Sequence, residues 1–163
     1  MVFDFGEEKN FGFWTIINDG VMGGLSESQA RLTEDAIIFS GEVLLKNNGG
    51  FVSLRSVLGV YDLSEFSFFE IRFKSDTDRK FGLLLEIEIP FYLPKFRKKF
   101  GGESEEWQSL KIPLKELEIS HMGNTIADGV RSEELKGVQR IGFILADKKE
   151  GSFVLQIDYL KFY

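Results

Sequence analysis

The sequence predicts an all-β fold, a two-sheet antiparallel sandwich of the jelly-roll kind, and three observations predict it. Apolar residues recur at every second position through several long segments. Turn-forming clusters interrupt the chain at short intervals, and stretches of helical periodicity are nearly absent. About ten short strands with so little helix fit two packed sheets better than any helix-containing layer arrangement.

Along the chain, "FWTII", "SQARL", "AIIFS", "EVLLK" and "FVSLR" read as short strands. They are parted by Asn18-Asp19-Gly20, Glu34-Asp35 and Asn47-Asn48-Gly49-Gly50, which are turn chemistry. In "FFEIRFK", Phe69, Ile71 and Phe73 alternate with Glu70, Arg72 and Lys74, a strand with one wet face. "FGLLLEIEI" continues the pattern with Phe81, Leu83, Leu85, Ile87 and Ile89 on one side. "RIGFILA" turns Ile141, Phe143 and Leu145 inward, and "SFVLQIDYLKFY" does the same with Phe153, Leu155 and Ile157. In that last strand Leu160 and Phe162 fall on the opposite parity, which predicts a bulge near Asp158. Short helical pieces are expected only around Leu114 to Leu117 and Ser132 to Leu135, and long loops over 90–105 and 118–137.

Residues 1–163 read as a single domain, long enough to bury a proper core, with no repeat or linker. The formal charge of −6 would repel a phosphate backbone, so nucleic acid is not an expected partner. The basic stretch "PKFRKKF", with Lys95, Arg97, Lys98 and Lys99, reads as a solvated loop. No apolar run approaches the roughly 20 residues of a membrane helix. The acidic start, "MVFDFGEEKN", resembles neither a signal peptide nor a transit peptide, and a cytoplasmic setting is expected. With 17 Phe against 2 Trp and 4 Tyr, the rings are mostly core filling, and sugar-stacking platforms are few. The candidates for such platforms are Trp14, Tyr92 and Trp107, the last on a parity facing away from the core.

Catalytic inventories are thin. There is no Cys and a single His, His121, with no nucleophile elbow, so neither a thiol site, a zinc centre nor a Ser-His-Asp triad is well supplied. Glu86 and Glu88 lie two apart on one strand, hence about 7 Å apart on one face, a spacing some glycosidases use. Their plainer reading is a charged outer face on an edge strand. The stretch "NDGVMGG" lacks the Gly-Lys-Ser/Thr of a phosphate loop, the spacing of a dinucleotide fingerprint and the carboxylates of a calcium loop. No cofactor is called for. What remains is a rigid double turn in which Asp19 is expected to pair with Arg55, which shares a face with Ser53, while Met22 stays free as a contact.

Trp14, Asn18-Asp19-Gly20-Val21-Met22-Gly23-Gly24 and Ser26 resemble the hallmark of the complex I intermediate-associated protein 30 family. The resemblance runs on through Phe39, Gly41, Asn48-Gly49-Gly50-Phe51 and Arg55, then Trp107 and Pro113, then "IGFILADKKEGSFVLQIDYLKFY". It implies a galactose-binding-like jelly roll and a non-catalytic, chaperone-like assembly factor of respiratory complex I, the NADH:ubiquinone oxidoreductase. Its partners would be complex subunits or assembly intermediates. Some relatives carry a dinucleotide-binding domain beside this module, for which the chain has no fingerprint. The expected binding residues are Trp14, Asn18, Asp19, Met22, Gly23, Gly24 and Arg55. A carbohydrate-binding module is the second reading, because galactose-binding-like sandwiches often bind sugars, and a hydrolase using Glu86 and Glu88 is the third.

Overall fold

The structure, a computed structural model, describes the chain except for Asn10, Phe11, Phe13, Glu88, Ile89, Phe91, Tyr92 and Met122. The strands in order are β1 (Val2–Asp4), β2 (Thr15–Ile16), β3 (Glu27–Leu32), β4 (Ile37–Val43), β5 (Val52–Arg55), β6 (Phe68–Ser75) and β7 (Lys80–Glu86). They continue with β8 (Lys95–Gly101), β9 (Ser104–Pro113), β10 (Glu118–His121), β11 (Asn124–Asp128), β12 (Arg140–Leu145) and β13 (Gly151–Phe162). One sheet runs β3-β4-β13-β6-β9, with β1 also on β13, and the other runs β11-β10-β8-β7-β12-β5-β2. Every pairing is antiparallel, as a β-sandwich of jelly-roll type requires.

The inward parity of each strand builds the core between the sheets. Phe69, Ile71 and Phe73 of β6 and Phe153, Leu155 and Ile157 of β13 meet Phe81, Leu83, Leu85, Ile141 and Phe143 of the opposing sheet, all essentially inaccessible. Phe rings predominate because they fill volume without a polar atom to satisfy. The bulge expected near Asp158 is present: the β13–β6 register shifts between Ile157 and Tyr159. The extra residue returns Leu160 and Phe162 to the core face, where both are buried. It also marks a change of neighbour, since β4 pairs with β13 before it and β1 after it.

Four expectations need correction. "AIIFS" and the start of "EVLLK" form one strand, β4, because Ser40 and Gly41 pair onward with Val154 and Phe153 without a break. The loop expected over 90–105 contains β8 and the start of β9. Phe96 and Phe100 alternate into the core there, so "PKFRKKF" is a strand with Arg97 buried. The loop expected over 118–137 contains β10 and β11. Finally, β7 lies in the middle of its sheet, between β8 and β12, so Glu86 is not on an edge. The two short helical pieces are 3₁₀ turns, Leu114–Glu116 and Ser132–Gly137.

Candidate functional site

The "NDGVMGG" stretch forms a 3₁₀ turn over Asp19–Met22, closed by Gly23 in the left-handed region at φ 88°. Asp19 at its head is completely buried. Its Oδ1 accepts the Ser26 amide at 3.0 Å, and its Oδ2 accepts the amides of Gly50 at 2.7 Å and Phe51 at 3.2 Å. One carboxylate therefore ties the loop before β3 to the loop before β5. Burial alone would raise the Asp19 pKa, but the hydrogen bonds from Ser26, Gly50 and Phe51 outweigh it and hold the group below its ordinary value. The glycines make room for this carboxylate. A Cβ on Gly24 would sit 2.3 Å from Oδ1, and one on Gly49 would lie 3.0 Å from Oδ2 and 2.5 Å from the Leu44 carbonyl oxygen. Asn18 Oδ1 accepts the Ser28 hydroxyl at 2.8 Å, fixing the turn to β3.

The expected Asp19–Arg55 pair does not form, because backbone amides already occupy the Asp19 oxygens. Arg55 does share its face with Ser53, whose hydroxyl accepts its Nε at 2.9 Å, but its partner is Glu86, with Nη1 2.7 Å from Oε1. Lys95 Nζ stands 3.5 Å from the same oxygen, and Arg140 Nη1 lies 3.6 Å from Oε2. Glu86 is thus a buried carboxylate ringed by three cations, 1% exposed, and not a charged outer face. Desolvation lowers the Arg55 pKa, Glu86 opposes that shift, and Arg140 adds to it. Glu88 lies outside the described residues, so the paired-carboxylate geometry has no second member to measure.

These charges belong to a cleft laid across the outer face of the seven-stranded sheet. The register aligns Arg55, Gly142, Leu84, Arg97 and Glu118 in one row over β5, β12, β7, β8 and β10. The next row is Ser53, Ile144, Gly82 and Lys99. Glycine within a strand weakens it and often marks a close approach, which is its use here. A Cβ on Gly82 would lie 3.1 Å from the Arg97 side chain, and one on Gly142 3.0 Å from Arg55 Cγ. Two long cationic side chains are laid over two glycines. The cleft has one lobe of about 290 Å³, reaching Met22, Leu45 and Gly50, and an adjoining lobe of about 390 Å³ beside Lys99, Lys148 and Lys149. Arg97 lines both.

Of the residues expected to bind, Met22 and Arg55 line this cleft, while Asp19, Gly23 and Gly24 shape the loop at its end. Trp14 is brought elsewhere. Its ring stacks on Phe143 at 5.5 Å with Phe3 and Phe5 edge-on, so it closes the core. Trp107 does face outward, on the other sheet, where Arg72 and Lys74 sit over its ring at 4.9 and 5.0 Å. Tyr92 lies outside the described residues. The residues missed from sequence are Gly82, Lys95, Arg97, Arg140 and Gly142. Isolated glycines inside "KFGLLLE" and "RIGFIL" were the available signal.

Such a sandwich, with an open cleft on one sheet and a tied loop pair at its end, is of the jelly-roll, galactose-binding-like class. A family model described as complex I intermediate-associated protein 30 matches residues 3–157, and the chain belongs to that family. The mouse protein named complex I intermediate-associated protein 30, mitochondrial, is 23% identical over 181 aligned positions, covering 98% of this chain and 55% of the mouse protein. The chain thus spans about half the length of that relative. Among solved structures, the family 11 carbohydrate-binding module of the cellulosomal cellulase Lic26A-Cel5E of Clostridium thermocellum superposes with a TM-score of 0.71 at 14% identity, covering 98% of this chain and 93% of that one. The module from the same organism in complex with a β-1,3-1,4-mixed-linked tetrasaccharide gives 0.68, also at 14% identity, over 98% and 94%. At such identities the likeness establishes the shared sandwich fold. Among the described residues no helix is long and apolar enough to cross a membrane.

Proposed function

We propose that the chain is a non-catalytic, chaperone-like protein-binding module that docks subunits or assembly intermediates of respiratory complex I. The observation that carries this reading is the loop pair tied by Asp19. It holds Val21, Leu25 and Leu45 exposed beside Met22 on a rigid base, and exposed apolar groups on a fixed platform are what a protein partner buries. Family membership supports the same reading. The test is co-purification of complex I subunits with a tagged chain from its native cells. Val21→Asp combined with Leu45→Asp should abolish the capture while leaving the melting temperature unchanged. Undiminished capture would overturn the docking surface. The cytoplasmic setting is carried with this proposal, although the mouse relative's name places that protein in mitochondria, and imaging of the tagged chain decides it.

A second reading, a carbohydrate-binding module, is favoured by the cleft itself, on a fold shared with a module solved with a tetrasaccharide. Against it stand the positions of Trp14 in the core and of Trp107 beneath two cations. Calorimetric binding of a neutral oligosaccharide at micromolar affinity would establish it in place of the first. The hydrolase reading is weakest, because Glu86 is engaged by Arg55, Lys95 and Arg140.

A further inference from the structure

The cleft gathers more cations than its lining acids neutralise, although Lys80 is paired with Asp78 at 3.4 Å and Arg55 and Lys95 with Glu86. Among the described residues, its lobe of about 390 Å³ is lined by Lys80, Arg97, Lys99, Lys148 and Lys149, and by one acid, Asp147. That acid is already taken: Arg79 clasps it through Nε at 2.7 Å and Nη2 at 2.8 Å. In a chain of net charge −6, this concentration of positive charge is local and opposed to the whole.

Arg97 is the informative residue. Its residue exposure is 6%, yet its Nε is buried with no hydrogen-bond partner among the described residues. Among the described residues its one bond is a long one, from Nη2 to the Gly123 carbonyl at 3.4 Å. A buried guanidinium N–H without an acceptor is costly, and such groups are usually completed by a ligand or by water. Glu118, its cross-strand neighbour, partly offsets the desolvation of the Arg97 charge, but its Oε2 accepts the Thr125 hydroxyl at 2.7 Å and it makes no hydrogen bond to Arg97 among the described residues. The turn opposite is also prepared. Lys148 is held in the left-handed region at φ 61°, unusual for a side chain of its length, and Arg79 braces that turn through the carbonyls of Lys149 and Gly151.

We propose that this lobe binds a small molecule carrying an oxyanion, a phosphate or a carboxylate. Arg97 is the buried fork that receives it, and Lys99, Lys148 and Lys149 supply the surrounding charge. The forked geometry of a guanidinium suits either oxyanion. The volume of about 390 Å³ falls in the range of small-ligand pockets. The inference does not rest on the protein-docking reading: its cations lie on β8 and the β12–β13 turn, and the docking side chains lie on the loops tied by Asp19.

The test uses the full chain, titrated by calorimetry with inorganic phosphate, glucose 6-phosphate, trigalacturonate and a neutral mixed-linked tetrasaccharide at constant ionic strength. At least one of the three anionic probes should bind with a dissociation constant below about 1 mM and weaken as salt rises, since the contact is charge-assisted. Phosphate-only and carboxylate-only binding both support the site and identify its ligand group. Arg97→Gln should weaken binding by roughly tenfold or more, as loss of a charged, bidentate contact does. Because that substitution is buried, Lys148→Gly is the second variant. Glycine suits the left-handed backbone there, so the melting temperature should hold or rise while anion affinity falls several-fold. Lys99→Gln, whose side chain lines the lobe of about 390 Å³ and not the one that reaches Met22 and Leu45, should lower anion affinity and leave capture of complex I subunits unchanged, which separates failure of this proposal from failure of the docking reading. Absence of anion binding up to about 10 mM, far weaker than a charge-assisted site, would overturn it. So would anion affinity equal to the parent's in all three variants, or binding of the neutral tetrasaccharide alone.

Discussion

The structural importance of Asp19 lies in the number of amides it satisfies. Three backbone N–H groups from two loops converge on one buried carboxylate. Hydrogen bonds to a charged acceptor contribute more than neutral ones, and an amide left without a partner bears the full cost of its desolvation. Asp19→Ala should therefore destabilise the fold by about 2–3 kcal/mol or more in urea unfolding. Asp19→Asn should lose nearly as much, because its NH2 cannot accept an N–H and each amide oxygen serves only one side. Gly24→Ala should be comparably damaging, since the new methyl would overlap the Asp19 carboxylate. A stability equal to the parent's in all three would refute the tie. The sequence marked this turn as special through its density of Asp and Gly, but it could not disclose the partner. Parity put Arg55 and Ser53 on one face, as found, yet the groups that hold Asp19 are backbone amides, which every residue except proline carries and no side-chain pattern reveals.

At the scale of the element, β7, β8 and β12 show why alternation is readable on one face only. Their inward residues are apolar and periodic, so β7 and β12 are legible, whereas in β8 the basic residues between Phe96 and Phe100 mask the same pattern. The outward faces follow no such rule, because they are half covered by loops and by one another's long side chains. Glu86 lies on that outer face and is nevertheless inaccessible, beneath Arg55, Lys95 and Arg140. Removing the carboxylate would leave cations facing each other in a poorly solvated place. Glu86→Ala should cost about 3–5 kcal/mol, the scale for breaking a buried ion pair by deleting one partner. Added sulfate should restore part of that loss by binding the orphaned cations, seen as a rise in melting temperature larger than the parent's. An unchanged melting temperature for Glu86→Ala would show that the cluster contributes nothing net.

At the scale of the molecule, the two sheets are joined by buried acids as well as by the Phe-rich core, and this gives the fold a definite response to acid. Asp19 ties the loops at one end of the cleft, and Asp147, clasped by Arg79, ties the β12–β13 turn that connects one sheet to the other. Burial pushes both pKa values up, but the hydrogen bonds to Asp19, and Arg79 beside Asp147, prevail and leave both below the ordinary aspartate value. A carboxylate whose folded pKa is depressed takes up its proton more readily in the unfolded chain. Unfolding in that window therefore absorbs protons, and stability rises with pH. The contribution is fully present above the unfolded value of about 3.9 and is lost as pH falls through the lower folded values. Thermal melts should thus show little change from neutrality to about pH 5, then a steep decline below about pH 4. In the combined Asp19→Asn, Asp147→Asn variant the neutral stability should be lower and the acid decline shallower, by the uptake of about two protons in the slope of unfolding free energy against pH. A decline as steep in that variant as in the parent would assign the acid sensitivity to other carboxylates, and the two ties would then be ordinary hydrogen-bonded turns without a linked proton.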